Sequence, residues 1–111
     1  MVLRIRDRST FETLRRSGRR SRRGPVTVTY AVVGSEGAPC VAYAVGRRAG
    51  GAVVRNRARR RLRAAVARAE LVPGSYLVSA GAAAATVPFD QLCAHVRSAM
   101  TAASSSGRPP E

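Results

Sequence analysis

The feature that most constrains this chain is a run of residues 53–63 that combines a helical apolar stripe with six arginines. It reads Val-Val-Arg-Asn-Arg-Ala-Arg-Arg-Arg-Leu-Arg. An α-helix turns by about 100° per residue, and at that spacing the apolar side chains of this run and of the residues after it share one arc. The arc contains Val54, Ala58, Leu62, Ala65, Val66 and Ala69. Its width of roughly 120° is enough to seat a helix on a protein core.

The polar side chains of this helix occupy the surface outside the apolar arc. One flank contains Asn56, Arg60 and Arg63, and the other contains Arg57, Arg61 and Arg68. Arg55 and Arg59 lie near the edges of the arc, so we expect them along the rim of the contact with the core. Arginine presents a planar fork of donors that matches phosphate oxygens. The helix therefore predicts a contact surface for a folded polyanion.

The overall charge supports this interpretation. The chain has 111 residues, with 20 basic side chains against 6 acidic ones and a formal net charge of +14. All 20 basic residues are arginines, and 17 of them lie in residues 1–63. Genomic base bias exchanges lysine for arginine without removing acidic residues, so it does not explain the excess. Such a field predicts binding to nucleic acid or to an anionic membrane surface.

Other protein classes are disfavoured by what the sequence lacks. No apolar run approaches the roughly 20 residues of a membrane span, and the first residues do not form a signal peptide, so we expect a cytoplasmic protein. Cys40 and Cys93 are too few and too far apart for a zinc site, and a cytosolic disulfide is not expected. His95 is the single histidine and the carboxylates are scattered. The sequence therefore predicts no catalytic residue and no metal site in the protein itself.

The first half of the chain predicts a helix followed by strands. Ser9 and Glu12 have the spacing of a capping box that opens a short helix, which Gly18 closes. The arginine-rich segment 19–23 follows, and it fits a mobile electrostatic arm as well as a defined site. Residues 26–33 alternate as a strand, and the turn residues 34–37 predict a hairpin between it and residues 40–45.

The second half predicts the rest of a single domain. A glycine-rich basic loop, 46–51, leads to a brief extended piece at 52–53 and then to the arginine helix, which runs to about residue 70. Residues 75–80 form a buried strand, and residues 87–90 open a last helix. The prediction is an α+β fold: a single-domain α-β-β-β-α-β-α sandwich over residues 1–103, with its sheet packed by helices. Residues 104–111 are predicted to be a disordered tail.

Residues 42–63 carry a composite motif. They read Ala-Tyr-Ala-Val-Gly-Arg-Arg, then Gly50, then Ala-Val-Val-Arg-Asn-Arg-Ala-Arg-Arg-Arg-Leu-Arg. This resembles the signature of the bacterial ribonuclease P protein component, in which a strand ends in Val-Ser-Lys-Lys and a Gly-Asn-Ala-Val loop leads to an Arg-Asn-Arg helix. Phe11 stands where that family has an aromatic residue in its first helix, with Gly18 at the family's distance. The late strand and the final helix also resemble the family's.

The chain departs from the family pattern at several positions. Gly46 and Gly51 stand where the family usually has Ser and Asn, so polar contacts of those side chains are lost. Arg15 stands close to where a second aromatic often occurs, which reduces the stacking surface. Arginine replaces lysine at three positions of the motif: Arg47, Arg48 and Arg59. These three replacements keep the positive charge.

The resemblance implies a function in tRNA 5′-end maturation. A protein of this family binds the catalytic RNA of ribonuclease P and the 5′ leader of precursor tRNA. The RNA carries the chemistry and requires Mg²⁺, and the protein binds no cofactor of its own. The family fold also implies a left-handed βαβ crossover that presents the arginine helix. No membrane and no obligate protein partner are expected.

The residues expected to bind RNA lie in the loop and the arginine helix. They are Arg47, Arg48, Arg55, Asn56, Arg57, Arg59, Arg60, Arg61 and Arg63. Stacking on an unpaired leader is assigned to three aromatic side chains, Phe11, Tyr30 and Tyr43, with ordinary core packing as the alternative for each.

Two other nucleic-acid functions and a membrane function remain as alternatives. A ribosomal-type structural RNA-binding protein shares the charge, size and fold class, but it would leave precursor tRNA processing unchanged. A DNA-binding module would insert the arginine helix into a major groove; arginines on several faces instead favour phosphate contacts over base readout. A membrane-surface helix would need a bulky apolar face, which this helix lacks.

Overall fold

The computed structural model of this chain describes residues 3–5, 7–32 and 38–105. In these ranges five strands form one mixed sheet, and three α-helices pack on it. The strands are β1 (Leu3–Arg4), β2 (Arg19–Arg23), β3 (Val26–Ala31), β4 (Pro39–Ala44) and β5 (Gly74–Ala80). The helices are α1 (Arg8–Ser17), α2 (Ala52–Ala67) and α3 (Phe89–Ser105), with short 3₁₀ helices at Arg47–Ala49 and Ala82–Ala85.

The strands lie in the order β1-β4-β5-β3-β2. β4 is parallel to both β1 and β5, whereas β3 is antiparallel to β5 and to β2. The predicted α+β sandwich is confirmed, but β1 and β2 are strands that the sequence did not predict, and the predicted short strand at residues 52–53 is absent. β4, α2 and β5 form the parallel crossover unit. The left-handed sense of this crossover stays a prediction.

Helices cover both faces of the sheet, and each face has its own apolar cluster. Cys40 and Val41 are neighbours in β4 but belong to different clusters, because successive side chains of a strand alternate between the faces. α2 and α3 build the larger cluster, in which Leu62 and Val96 are fully buried against the strands. α1 places Leu14 in the smaller one.

The predicted hairpin between residues 26–33 and 40–45 is wrong. β3 instead forms its hairpin with the preceding segment, β2, through a turn at Gly24, whose φ of 55° suits glycine. On its other side β3 pairs with β5, which also separates it from β4. The turn residues 34–37 fall among residues 33–37, which lie outside the described ranges. Residues 19–23 are thus an ordered edge strand rather than a mobile arm.

The start of α1 also differs from the prediction. Asp7, not Ser9, is the N-cap: its carboxylate accepts the backbone N–H of Thr10 at 3.1 Å and the hydroxyl of Ser9 at 2.6 Å. The hydroxyl–carboxylate bond from Ser9 is the main cause of a lowered Asp7 pKa, and the hydroxyl of Thr10 acts in the same direction. The end of the helix is as predicted, with the N–H of Gly18 bonded to the carbonyl of Leu14.

Three further boundaries are corrected by the structure. Residues 52–53 are not extended, because they form the first turn of α2, where the N–H of Arg55 bonds to the carbonyl of Gly51 at 3.0 Å. α2 ends at Ala67 rather than near residue 70. Ser104 and Ser105, predicted to begin a disordered tail, form the last turn of α3, and both hydroxyls donate to the carbonyl of Thr101. The rest of the predicted tail, residues 106–111, lies outside the described ranges.

Two tyrosines hold the connection between α2 and β5. The Tyr30 hydroxyl donates to the carbonyl of Pro73 at 2.7 Å, and the Tyr76 hydroxyl donates to the carbonyl of Val72 at 2.8 Å. Their ring centroids are 4.8 Å apart with the planes tilted by 52°, within the range of favourable aromatic pairs. Burial raises the pKa of Tyr76 to about 12, so this hydroxyl stays protonated and keeps its hydrogen bond at neutral pH.

Candidate RNA-binding surface

The loop before α2 turns sharply to bring its basic residues beside the helix. The backbone N–H of Gly50 bonds to the carbonyl of Arg47 at 3.1 Å, and Gly50 has a φ of 132°, which a side chain would strain. Arg47 and Arg48 lie in the resulting 3₁₀ helix, and both side chains are exposed. The loop thus adds two guanidinium groups beside the first turn of α2.

α2 has the predicted division into an apolar stripe and a basic surface. Four positions of the predicted arc are buried under the helix: Ala58, Leu62, Ala65 and Val66. Val54, at the first turn, is 36% exposed, so the stripe meets the core only from the second turn onward. The confirmed stripe determines which residues of α2 face outward.

The nine predicted RNA-binding residues are not equivalent in the structure. Arg57 and Arg60 are exposed and lie on the two flanks of the helix, as the spacing predicts. Arg55 is half-buried, and its Nε has no hydrogen-bond partner although that atom is shielded from solvent. The remaining four helix residues, Asn56, Arg59, Arg61 and Arg63, all make contacts within the protein. Arg57 and Arg60 are therefore the helix arginines best placed to meet phosphates directly.

Arg61 contacts the protein rather than projecting outward. Its guanidinium donates to the carbonyl of Ala84 at 2.8 Å and also to the carbonyl of Val87. Both carbonyls belong to the connection between β5 and α3, where Ala84 lies within the 3₁₀ helix and Val87 follows it. The spacing of residues in α2 did not reveal this role, because the acceptors come from a segment more than twenty residues away.

Arg59, Asn56 and Arg63 form a linked group on one flank. The Arg59 guanidinium donates to Asn56 Oδ1 at 3.1 Å and to the carbonyl of Val45 at 3.4 Å. Arg63 lies over the ring of Tyr43, with its guanidinium carbon 5.5 Å from the ring centroid, a cation–π distance. Together with Val53 and Arg60 these side chains line a shallow groove along α2. The flank predicted for Asn56, Arg60 and Arg63 is thus confirmed.

The three aromatic side chains assigned to leader stacking have different surroundings. Tyr30 is only 6% exposed and its hydroxyl is bonded to Pro73, so its ring has no face open for a base; this assignment is corrected to core packing. Phe11 is half-buried against the small cluster under α1. Tyr43 is half-buried on the side of α2, where burial raises its pKa and the Arg63 charge opposes that rise.

β2 adds a second basic surface that the sequence left undecided. Four of its five residues are exposed arginines: Arg19, Arg20, Arg22 and Arg23. The Nε of Arg23 donates to the hydroxyl of Ser98 at 3.1 Å, which links the strand to α3. Arg20 and Arg22 pair with Thr29 and Thr27, so they share the face of the sheet on which α1 packs.

Two further predicted features concern membranes and metals. Among the described residues, no helix combines the length and apolar character needed to cross a bilayer. Within the same residues, no three His, Cys, Asp or Glu side chains come close enough to hold a metal ion. His95 is half-buried beside the turn at Gly24, where a Cβ atom would lie 2.7 Å from its Nε2.

Comparison with solved structures shows the same fold in other proteins. The ribonuclease P protein of Staphylococcus aureus is 18% identical, with a TM-score of 0.74 over 88% of this chain and 92% of that one. A mutant of the S. aureus protein described as defective in mRNA degradation activity is 19% identical, with a TM-score of 0.78 over 91% and 87%. The ribonuclease P protein of Thermotoga maritima is 19% identical, with a TM-score of 0.71 over 84% and 90%.

A family model matches nearly the whole chain. The model describes Ribonuclease P, and its match covers residues 2–104, from before β1 to the last turn of α3. The match therefore includes the loop, the arginine helix and both basic surfaces. The chain belongs to the ribonuclease P protein family.

Proposed function

We propose that this chain is the protein subunit of a bacterial ribonuclease P, and that it binds the catalytic RNA and the 5′ leader of precursor tRNA during leader removal. The observation that carries the proposal is the arginine surface of α2, held on a buried apolar stripe in a chain of this family. A rigid helix fixes its guanidinium groups relative to one another, which suits the fixed phosphate positions of a folded RNA.

The division of work between protein and RNA is part of this proposal. The Mg²⁺-dependent cleavage belongs to the RNA subunit, and the protein contributes binding and placement. The proposal gives the protein no metal of its own; among the described residues, no three His, Cys, Asp or Glu side chains come together. Since tRNA maturation takes place where transcripts are made, the proposed location is the cytoplasm.

Contact with the catalytic RNA is assigned to the loop and α2. Arg47, Arg48, Arg57 and Arg60 are exposed, so they reach phosphates without giving up a contact within the protein. Arg63 is exposed and Arg59 is half-buried, and they are anchored at Tyr43 and Val45, respectively. Arg61 has a different role in this proposal: it positions the helix, because its guanidinium is bonded to two backbone carbonyls.

Contact with the leader is assigned to the opposite face of the sheet, beside α1. Phe11 is the aromatic of the original three that lies on this face, and part of its ring is exposed. Arg20 and Arg22 lie on the same face at the sheet edge. An unpaired strand recognised by one aromatic ring and flanking arginines matches how proteins bind single-stranded RNA.

A binding experiment separates the two assignments. The Kd of the protein for a bacterial ribonuclease P RNA is measured first; the affinity of the assembled complex is then measured for precursor tRNA and for mature tRNA. Phe11→Ala should weaken binding of the precursor about fivefold or more and leave mature tRNA and the catalytic RNA unaffected. Arg57→Ala should weaken binding of the catalytic RNA. A wild-type protein with no affinity for the RNA would contradict the proposal.

A further inference from the structure

A groove at the edge of the sheet joins β1 to the basic flank of α2. Its volume is about 410 Å³, which falls within the range of small-ligand sites. Its lining includes the apolar residues Leu3 and Val41 of the sheet edge and three arginines, Arg4, Arg59 and Arg63. None of the residues that line it is acidic. An apolar wall beside three cationic groups suits a ligand with a flat apolar part and negative charge.

Tyr43 holds Arg63 in the orientation that such a ligand needs. The ring is half-buried against the core, and the Arg63 guanidinium covers it at 5.5 Å. Arg63 is exposed and lines the groove, so its guanidinium is accessible to a ligand there. A nucleobase stacks on an arginine plane as it does on an aromatic ring. The Tyr43 hydroxyl, like that of an ordinary tyrosine, is neutral at neutral pH, so the ring carries no negative charge that would repel a phosphate.

Arg59 is fixed in the same groove by contacts on two sides. Its guanidinium donates to Asn56 Oδ1 and to the carbonyl of Val45. Arginine has only donors, so the atom of Asn56 that faces it is the amide oxygen, and the amide NH₂ of Asn56 is left to meet an acceptor. Arg59 and Arg63 also line the shallow groove that contains Asn56 and Arg60. The two grooves therefore form one continuous surface with the α2 arginines.

From this geometry we propose that the groove binds one unstacked nucleotide of the catalytic RNA. The base stacks on the outer side of Arg63, which Tyr43 supports from beneath, and the phosphate meets Arg4 and Arg59. This inference rests on the proposed function, since it assumes that α2 contacts the catalytic RNA. It assigns Tyr43 to the catalytic RNA rather than to the leader, because the ring lies on the α2 side of the sheet and Phe11 on the other.

The test measures the Kd of the protein for a bacterial ribonuclease P RNA without any tRNA. Arg63→Lys keeps the charge and loses the planar group, and Tyr43→Leu fills the space without a ring. Both should weaken binding by about fivefold or more, because one base loses its stacking platform. Tyr43→Phe keeps the ring and should restore wild-type affinity. Arg97→Lys is the matched control at an exposed arginine of α3 that belongs to neither proposed contact surface, and its Kd should change less than twofold.

A second probe detects the stacked base directly. A labelled oligouridylate of eight nucleotides is compared with an abasic phosphodiester strand of the same length. The wild type should bind the oligouridylate more tightly than the abasic strand. Phe11→Ala should leave part of this preference in place, and Arg63→Lys should remove that remaining part. Circular dichroism of each variant confirms that it is folded.

Two outcomes would overturn the inference. One is an Arg63→Lys effect on binding of the catalytic RNA no larger than that of Arg97→Lys. The other is a loss of affinity in the assembled complex that affects precursor tRNA but not mature tRNA. That result would show that the leader occupies the groove. Failure of the proposed function looks different, because then the wild-type protein itself would not bind the catalytic RNA.

Discussion

Arg61 of α2 donates a hydrogen bond to the carbonyl oxygen of Ala84, with 2.8 Å between Nη1 and that oxygen. The same guanidinium reaches the carbonyl of Val87, three residues further along. The contact ties the basic helix to the connection that leads into α3. An arginine in the middle of a basic run thus holds the helix in place while its neighbours face outward.

Replacing Arg61 should therefore change stability more than RNA binding. Arg61→Ala leaves the carbonyls of the buried Ala84 and the half-buried Val87 without their charged donor, and we expect the free energy of unfolding to fall by about 1.5–3 kcal/mol. Arg57→Ala, on an exposed position of the same helix, should change it by less than about 0.5 kcal/mol. Urea denaturation followed by circular dichroism compares the two. Equal stability of both variants would show that the Arg61 contact contributes nothing to folding.

Replacing Arg57 and Arg60, two exposed arginines of α2, should change RNA binding more than stability. In the Arg57→Ala/Arg60→Ala double variant, two phosphate contacts are lost, and the slope of log Kd against log salt concentration should become smaller by about 2. The double variant should remain folded, because neither side chain is buried. Fluorescence titrations of the catalytic RNA at several salt concentrations give the slope. An unchanged affinity in the folded double variant would refute the assignment of α2.

The buried stripe of α2 has a separate test. Leu62 is 0% exposed and lies in the larger apolar cluster. Leu62→Ala should lower the free energy of unfolding by about 2–5 kcal/mol, because it removes buried methyl groups and leaves a cavity. Thermal unfolding measures the loss, with Ala64→Ser on the exposed side as the control. A loss no larger than that of the control would contradict the placement of Leu62 in the core.

The cap of α1 should make a pH-dependent contribution to stability. The pKa of Asp7 is lowered in the folded protein from its usual 3.8, so its contribution is complete above pH 3.8 and is lost as the pH falls through the lowered pKa. Asp7→Asn keeps a capping side chain without a charge. The variant should be less stable than the wild type at neutral pH, and the difference should shrink in acid. A difference that stays constant between neutral and acid pH would contradict this account.

Local patterns predicted the parts of the fold that depend on nearby residues. The apolar spacing around Leu62 placed α2 correctly, because the period of a helix is visible in the sequence itself. Gly18 marked the end of α1 for a similar reason. At the start of α1, the capping-box spacing indicated Ser9, but Asp7 is the residue whose carboxylate accepts the N–H of Thr10.

Partners that are distant in sequence account for what the patterns missed. β3 pairs with β5 across some fifty residues, and no short-range signal shows that this pairing replaces a hairpin with β4. The arginine-rich sequence of β2 resembled a solvated arm, because its charged side chains do not show the usual pattern of a strand. In the structure, all five of its residues pair with β3. Tyr30 alternates in phase with Val26 and Val28, but its partner, the carbonyl of Pro73, lies 43 residues away, and no local pattern shows that contact.

Reconstitution of precursor tRNA cleavage tests the central claim most directly. The purified protein is combined with a bacterial ribonuclease P RNA and a labelled precursor tRNA at a Mg²⁺ concentration too low for the RNA alone. The account predicts cleavage at the mature 5′ end that requires the RNA, is stimulated by the wild-type protein and is reduced with the Arg57→Ala/Arg60→Ala variant. Tight binding of the RNA without any stimulation of cleavage would contradict the account and favour a structural RNA-binding protein.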